Sequence, residues 1–247
     1  MKVLEDHKAD GIRHREFVVD GASHPIPGAL WTPVTEPATA DGGSPLVLIG
    51  HGASGDKYQD YVRSLGRRLA RDFGVAAAAI DGPVHGGRRE DGGLDGQRAF
   101  LDFATLWSSD DGMTDRMVDD WRRSLDALLE LPGISGPVGY WGLSMGTILG
   151  LPYVAAEPRV SVAVLGLMGV TGPTADRIRA DAAAIERPVL YLVQWSDELF
   201  PRDTAFELFD LLASTDKTLH ANPGSHGAVP DHEFAASARY LVRHLAG

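Results

Sequence analysis

The chain has 247 residues, and none of them is cysteine. This absence excludes disulfide bonds, thiolate nucleophiles and zinc sites built on thiolates, so that a nucleophile has to be sought among other residue types. No apolar run approaches the roughly 20 residues needed to cross a bilayer. Residues 1–8 lack the apolar core of a signal peptide. We therefore expect a cytoplasmic protein.

Positive charge is also scarce. The chain has 23 Lys and Arg against 34 Asp and Glu, which gives a net charge of −11 at pH 7. An acidic chain is repelled by nucleic acids and by anionic membranes, and we expect neither as a partner. The length is sufficient for one α/β domain with a buried core, so we predict a single domain over residues 1–247.

Apolar patterns of two kinds alternate along the chain. Continuous apolar runs predict buried strands at 45–50, 75–80, 138–141, 160–169 and 188–194, and a short strand is predicted at 217–221. Helical spacing predicts helices at 58–73, 117–129, 175–185, 205–213 and 231–245. Two further strands, at 14–20 and 28–33, are joined by turn-forming residues. The pattern predicts an α/β fold with a mostly parallel sheet, helices on both faces and an N-terminal antiparallel hairpin.

Two stretches are predicted to be irregular. Residues 36–44 are rich in Pro, Ala, Thr and Gly, which indicates an exposed loop. Residues 81–112 are rich in glycine and charge, and we expect a loop or short cap over one end of the sheet.

Residues 142–146 read Gly-Leu-Ser-Met-Gly and fit the G-x-S-x-G pattern of a nucleophile elbow. In such an elbow a sharp strand-to-helix turn holds the serine, and a side chain at either glycine would collide with a neighbouring strand or helix. A predicted strand precedes the motif and a helical pattern follows it. This context favours a functional Ser144 over the alternative of a structural turn.

Reactive groups of parallel sheets gather where the strands end. Ser144 follows the 138–141 strand, Asp197 and Glu198 follow the 188–194 strand, and His226 lies in a loop after 217–221. A serine hydroxyl needs an adjacent base, and a carboxylate on the far side of an imidazole stabilises its protonated form. Ser144, His226 and Asp197 fit these roles. Two alternatives concern the acid: Glu198 in place of Asp197, or Asp197 as no more than a solvated surface carboxylate.

The negative charge that develops on the substrate oxygen needs donors aimed at it. The backbone N–H groups of Ala53 and Met145 are the expected pair. His51 is interpreted as a structural residue of the loop that holds Ala53, and His85 as a residue that shapes a turn beside the site. His85 with Asp81 is too sparse a set to bind a metal.

Several side chains have two interpretations. Four apolar residues could either line a pocket for the acyl group or belong to the core: Trp107, Met168, Trp195 and Leu199. Arginines that would bind a substrate carboxylate or be merely solvated are Arg88, Arg89 and Arg98.

Taken in this order, the motifs after the strands resemble those of α/β-hydrolases, and the chain is similar to the dienelactone-hydrolase-like serine esterases from about residue 14 to its end. The resemblance places the acid at Asp197 and implies an α/β-hydrolase fold, a catalytic set of Ser144, Asp197 and His226, a small-molecule ester as substrate, and no cofactor or metal. Enzymes that open dienelactones use a cysteine nucleophile, which this chain lacks.

We therefore expect an esterase for small or short-chain acyl groups that works through an acyl-enzyme on Ser144. One alternative is an amide, peptide or thioester hydrolase with the same triad. The other is a non-catalytic small-molecule binding protein on the same scaffold.

Overall fold

A computed structural model of the chain describes residues 1–34, 43–90 and 95–246. Within these residues the strands are β1 (Lys2–Ala9), β2 (Ile12–Val19), β3 (Ile26–Pro33), β4 (Ser44–Gly50), β5 (Ala76–Ile80), β6 (Ile134–Gly142), β7 (Val160–Gly166), β8 (Val189–Gln194) and β9 (Lys217–Asn222). The helices are α1 (Asp60–Phe73), α2 (Gly96–Ser109), α3 (Met113–Leu129), α4 (Met145–Ala156), α5 (Ala175–Ala182), α6 (Arg202–Leu211) and α7 (Asp231–Leu245). None of these helices is both long and apolar enough to cross a membrane.

The strands form one sheet in the order β1-β2-β3-β5-β4-β6-β7-β8-β9. Strands β1, β2 and β3 pair antiparallel, as do β3 and β5, and all pairs from β5 to β9 are parallel. The predicted hairpin is the β2–β3 pair, in which Val19 lies opposite Ile26. The prediction of a mostly parallel sheet led by an antiparallel hairpin is confirmed.

Helices cover both faces of the sheet and bury two separate apolar clusters. On one face α1 and α7 contribute Val62, Leu65, Leu69, Ala238, Leu241 and Leu245. On the other face α3, α4, α5 and α6 contribute, among others, Trp121, Leu125, Ile148, Ile178 and Leu208. The predicted placement of helices on both faces is therefore confirmed.

The register of the sheet sets where the loops begin. Gly50 at the end of β4 is paired with Gly142 at the end of β6, so the loops that follow these two strands start side by side. Gln194 at the end of β8 is likewise paired with Asn222 at the end of β9. The four loops that carry the candidate residues therefore leave the same edge of the sheet.

Two elements depart from the sequence expectations. Strand β1 was not predicted, because all eight of its residues are exposed and it has no buried apolar alternation. Residues 96–109, within the region predicted as a loop or short cap, form helix α2 rather than a loop. The Asp95 side chain accepts hydrogen bonds from the N–H groups of Gln97 and Arg98 and so caps this helix, while Phe103 packs into the core.

The predicted cap region also contains a 3-10 turn at Gly86–Arg88. Its residues 91–94 lie outside the described residues, and so does most of the loop predicted at 36–44, since residues 35–42 are not described.

Candidate active site

Ser144 lies between β6 and α4 with φ of 57° and ψ of −121°. Few residues other than glycine adopt a positive φ, and such strain is found mainly at functional sites. Met145 begins α4, so the serine stands at the N-terminal end of a helix. The prediction of a strand, a sharp turn and a helix around residues 142–146 is confirmed.

The glycines of the elbow are required by close backbone contacts. A Cβ atom on Gly142 would lie 2.5 Å from the carbonyl oxygen of Gly146, and one on Gly146 would lie 2.6 Å from that of Gly50.

The Thr147 hydroxyl contacts the ends of two neighbouring strands, β6 and β7. It lies 2.8 Å from the carbonyl oxygen of Gly142 and 2.7 Å from that of Gly166, and it accepts the N–H of Gly166 at 2.9 Å.

The structure brings the three predicted side chains together. His226 Nε2 lies 2.8 Å from Ser144 Oγ, and His226 Nδ1 lies 2.8 Å from Asp197 Oδ2. Glu198 takes a different position, because its carboxylate accepts the backbone N–H of His226 at 2.8 Å. Of the two candidate acids, Asp197 contacts the imidazole and Glu198 contacts the loop that carries it.

The second oxygen of Asp197 accepts the N–H groups of Leu199 and Phe200 at 2.8 and 2.9 Å. Burial raises the pKa of Asp197, but the hydrogen bonds from His226, Phe200 and Leu199 outweigh burial, so this pKa lies below its usual value. Asp197 is therefore ionised at neutral pH and able to stabilise a positive charge on His226.

The two backbone N–H groups predicted to bind the substrate oxygen belong to Ala53 and Met145. Both residues border one cavity together with Ser144. Neither N–H group donates a hydrogen bond to another described residue. Both groups are thus available to a ligand at Ser144.

His51 orders the loop that carries Ala53. Burial lowers the pKa of His51 to about 4, so its ring is neutral at pH 7. His51 Nδ1 donates to the Gly52 carbonyl oxygen at 2.8 Å, and Nε2 accepts the N–H of Gly82 at 2.9 Å. The Gly52 N–H in turn donates to the Tyr61 hydroxyl at 2.6 Å.

His85 contacts the same loop and lies beside His51. The centroids of the two imidazole rings are 5.0 Å apart. Its Nε2 lies 2.8 Å from the Ala53 carbonyl oxygen and its Nδ1 lies 2.6 Å from that of Pro83. Burial lowers the pKa of His85, although the two carbonyl groups oppose this shift. The side chain does more than shape a turn, since it contacts the backbone of Ala53 itself.

Ser144 borders two cavities. The larger, of about 370 Å³, is shared with His226 and lined by residues that include Gln59, Tyr61, Trp141, Val229 and Phe234. The smaller, of about 230 Å³, is lined by residues that include Phe103, Trp107, Met145, Ile148 and Phe200. Phe100 and Leu199 border both. The arrangement offers room for a substituent on each side of a carbonyl group at Ser144.

The four residues interpreted as either acyl-pocket or core residues occupy different positions. Trp107 and Leu199 line the cavities, whereas Met168 is fully buried in the core. Trp195 does neither, because it is half-exposed and lies under the guanidinium of Arg202.

The three arginines form ion pairs with carboxylates of the protein. Arg88 pairs with Asp120 at 2.7 Å, and Arg89 and Arg98 pair with Asp102 at 2.9 and 3.0 Å. In the described part of the chain, no cluster of three or more His, Asp or Glu side chains is placed to hold a metal ion.

The sequence did not identify Gln59, Tyr61, Trp141 and Phe234 as residues of the site. Their position depends on how α1 and α7 pack beside the end of β6, which no local motif reveals. Phe103 and Trp107 had a detectable signal, because they are spaced four residues apart after the potential capping residue Asp95.

The chain is similar in structure to three esterases and hydrolases whose structures are solved. A cold-adapted esterase from an Arctic intertidal metagenomic library is 37% identical, with a TM-score of 0.86, and the match covers 99% of this chain and 100% of that chain. An acetyl xylan esterase from Paenibacillus sp. R4 is 19% identical, with a TM-score of 0.74 and coverage of 99% and 87%. A dienelactone hydrolase from Anabaena variabilis is 20% identical, with a TM-score of 0.67 and coverage of 95% and 97%. The latter two show a shared fold.

No protein-family model and no curated protein matches the chain.

Proposed function

The chain belongs to the family of the cold-adapted esterase with which it shares 37% identity, and it has the fold of dienelactone hydrolases; from this premise we propose that it hydrolyses small carboxylic esters through an acyl-enzyme on Ser144. One observation carries the proposal. The Ser144 hydroxyl, the His226 imidazole and the Asp197 carboxylate form a continuous hydrogen-bonded row with both distances at 2.8 Å. This row is the arrangement that turns a serine hydroxyl into a nucleophile.

In the first step Ser144 Oγ attacks the ester carbonyl carbon while His226 Nε2 takes the hydroxyl proton. The carbonyl π electrons move to the oxygen, and the N–H groups of Ala53 and Met145 stabilise the resulting negative charge. When the tetrahedral intermediate collapses, the bond from carbon to the alcohol oxygen breaks. His226 gives its proton to that oxygen, and the alcohol leaves.

In the second step a water molecule attacks the acyl-enzyme and gives its proton to His226. Collapse of the second intermediate breaks the bond from the acyl carbon to Ser144 Oγ, which regains its proton from His226. Asp197 stabilises the imidazolium ion in both steps. The chain's own residues thus supply the nucleophile, the base and the oxyanion donors.

The acyl group is expected to be short, because the two cavities at Ser144 hold only about 370 and 230 Å³. The direct test is hydrolysis of p-nitrophenyl esters from acetate to dodecanoate by the unmodified chain and by Ser144→Ala. We expect the highest kcat/KM for short acyl chains and no activity above background in the variant.

Covalent labelling tests the nucleophile independently of the ester chosen. An organophosphate that forms a stable adduct with activated serines should add one phosphoryl group to the chain and none to Ser144→Ala, as measured by mass spectrometry. Labelling without ester hydrolysis would redirect the proposal to amide or thioester substrates. A folded chain with neither labelling nor hydrolysis would contradict it and favour a binding protein.

A further inference from the structure

If the proposed function holds, the position of His226 determines which of the two cavities receives the leaving alcohol. His226 returns its proton to the alcohol oxygen, so the alcohol has to lie on the side where His226 is exposed to the substrate. Among the described residues, His226 borders the larger cavity and Met145 borders the smaller one. The larger cavity therefore receives the alcohol part, and the smaller one receives the acyl part.

Apart from Ser144 and Thr171, the smaller cavity is lined by apolar side chains and glycine, which suits an alkyl chain. The larger cavity differs, because Gln59 and Tyr61 at the start of α1 and Trp141 at the end of β6 bring polar atoms to its wall. The rings of Tyr61 and Trp141 lie 5.6 Å apart and fix each other's position. Phe234 from α7 stacks on Tyr61 at a centroid distance of 5.7 Å.

The Tyr61 hydroxyl has a proton to donate. Its oxygen already accepts the N–H of Gly52 at 2.6 Å, and within the described residues no acceptor is paired with its own proton. Burial raises the pKa of Tyr61, so the hydroxyl stays protonated at every pH at which the site works. A substrate oxygen in the larger cavity would be its natural acceptor.

Gln59 and Trp141 add two further unpaired groups. Gln59 Oε1 and Trp141 Nε1 are buried and have no hydrogen-bond partner in the described residues. Trp141 is completely buried. A buried polar atom without a partner destabilises the fold, and Phe at position 141 would fill most of the same space without this cost. These two atoms lie beside the Tyr61 hydroxyl, whose proton has no acceptor among the described residues, and this side of the cavity is therefore the one suited to a ligand with polar atoms.

We propose that the larger cavity binds the alcohol part of the ester, and that Tyr61, flanked by Gln59 and Trp141, donates a hydrogen bond to an oxygen atom that this alcohol carries. The preferred substrates are short-chain esters of alcohols with a second oxygen, as a hydroxyl or an ether. A plain alkanol ester leaves the Tyr61 proton without an acceptor in the cavity, so its transition state is bound less tightly.

Two esters of equal length test this preference. In 3-methoxypropyl butanoate an ether oxygen replaces one methylene of n-pentyl butanoate, and the oxygen is three carbons from the ester, where it hardly changes chemical reactivity. We expect kcat/KM for the methoxypropyl ester to be about five- to tenfold higher, the effect of one added neutral hydrogen bond.

Variants connect the preference to the named residues. Tyr61→Phe should bring the ratio of the two kcat/KM values close to one, even where the loss of the Gly52 contact lowers both values. Gln59→Leu should leave the ratio close to that of the unmodified chain, because Gln59 Oε1 only accepts hydrogen bonds and an ether oxygen has no proton to donate. Tyr58→Phe is the matched control, because Tyr58 lies outside both cavities at Ser144, and it should leave the ratio unchanged.

Equal kcat/KM values for the two esters in the unmodified chain would overturn the inference, and so would a ratio that survives Tyr61→Phe. A preference for ethyl 4-methoxybutanoate over ethyl hexanoate, without one for the methoxypropyl ester, would reverse the assignment of the two cavities and overturn it too. If p-nitrophenyl butanoate is also not hydrolysed, the proposed function itself has failed. Hydrolysis of that ester with no oxygen preference leaves the proposed function standing.

Discussion

The Nε2 atom of His85 lies 2.8 Å from the carbonyl oxygen of Ala53. A carbonyl oxygen only accepts hydrogen bonds, and His85 Nδ1 faces a second one, that of Pro83, at 2.6 Å. A neutral ring carries one proton, so His85 donates to Ala53 in the tautomer with the proton on Nε2. The Ala53 carbonyl belongs to the peptide group that follows the Ala53 N–H, so this contact holds the Ala53 backbone on the carbonyl side of the proposed donor. We therefore expect His85 to help position one of the two proposed oxyanion donors.

Removal of this side chain tests the positioning role. We expect His85→Ala to lower kcat by about 10- to 100-fold on p-nitrophenyl acetate with little change in KM, because a misdirected donor weakens binding of the transition state more than that of the substrate. His85→Gln should recover part of the loss, since its amide can donate to the same carbonyl. His232→Asn, at an exposed side chain, is the control. An unchanged kcat in a folded His85→Ala chain would exclude the role.

The neighbouring acids Asp197 and Glu198 make a matched pair of variants. Asp197→Asn should lower kcat by roughly 10⁴-fold, because the amide stabilises neither the imidazolium nor the required tautomer of His226. Glu198→Gln should cost about tenfold or less, since an amide oxygen still accepts the His226 backbone N–H. Steady-state kinetics of both variants, with circular dichroism to check folding, measure the difference. If the larger loss occurred in Glu198→Gln, the acid would have been assigned to the wrong residue.

Helices and strands could be predicted from the sequence where the pattern of apolar residues within the element itself was sufficient. Helix α7 begins and ends at the predicted residues, 231 and 245, because its apolar residues recur at helical spacing over this whole range. Strands β4 and β8 were predicted within a residue or so because they are buried along their whole length. Strand β1 gave no such signal, since backbone pairing with β2 and an exposed ion pair of Arg13 with Asp6 hold it in place.

The same distinction applies to the candidate site. Ser144, Asp197 and His226 could be singled out because each follows a strand that ends at the same edge of the sheet. Their chemistry is carried by residue type and by chain order. Tyr61 and Trp141 meet through the packing of a helix against a strand end, and this contact is not encoded in any short motif. The walls of the cavities, and hence substrate preference, could not be predicted for that reason.

Acid should destabilise the fold through His51. Its pKa is about 4 in the folded chain against a usual value of 6.5. Above pH 6.5 both the folded and the unfolded chain hold a neutral ring, and the stabilisation is complete. Between pH 6.5 and 4 only the unfolded chain takes up the proton, so the free energy of unfolding falls by about 3 kcal/mol across this window, and below pH 4 this contribution is lost.

Urea unfolding at several pH values from 7.5 to 4 measures this slope. His51→Gln should flatten the curve because it removes the titrating group, whatever its effect on stability at pH 7. His24→Asn, at an exposed position, should leave the slope as it is. His85, whose pKa burial also lowers, would account for a slope that persists in His51→Gln.

Thr147 should stabilise the elbow through its hydroxyl, which contacts the carbonyl oxygens of Gly142 and Gly166 and the N–H of Gly166. Thr147→Val keeps the shape but removes these hydrogen bonds, while the Gly166 carbonyl oxygen still accepts the Ser144 N–H at 3.0 Å. We expect the free energy of unfolding to fall by about 1–3 kcal/mol. Thr147→Ser keeps the hydroxyl and loses one methyl group, so its loss should be smaller, about 1 kcal/mol. Because Gly142 begins the turn that carries Ser144, Thr147→Val should also lower kcat more than Thr147→Ser. Equal losses of stability in the two variants, measured by urea unfolding, would mean that the methyl group and not the hydroxyl stabilises the elbow.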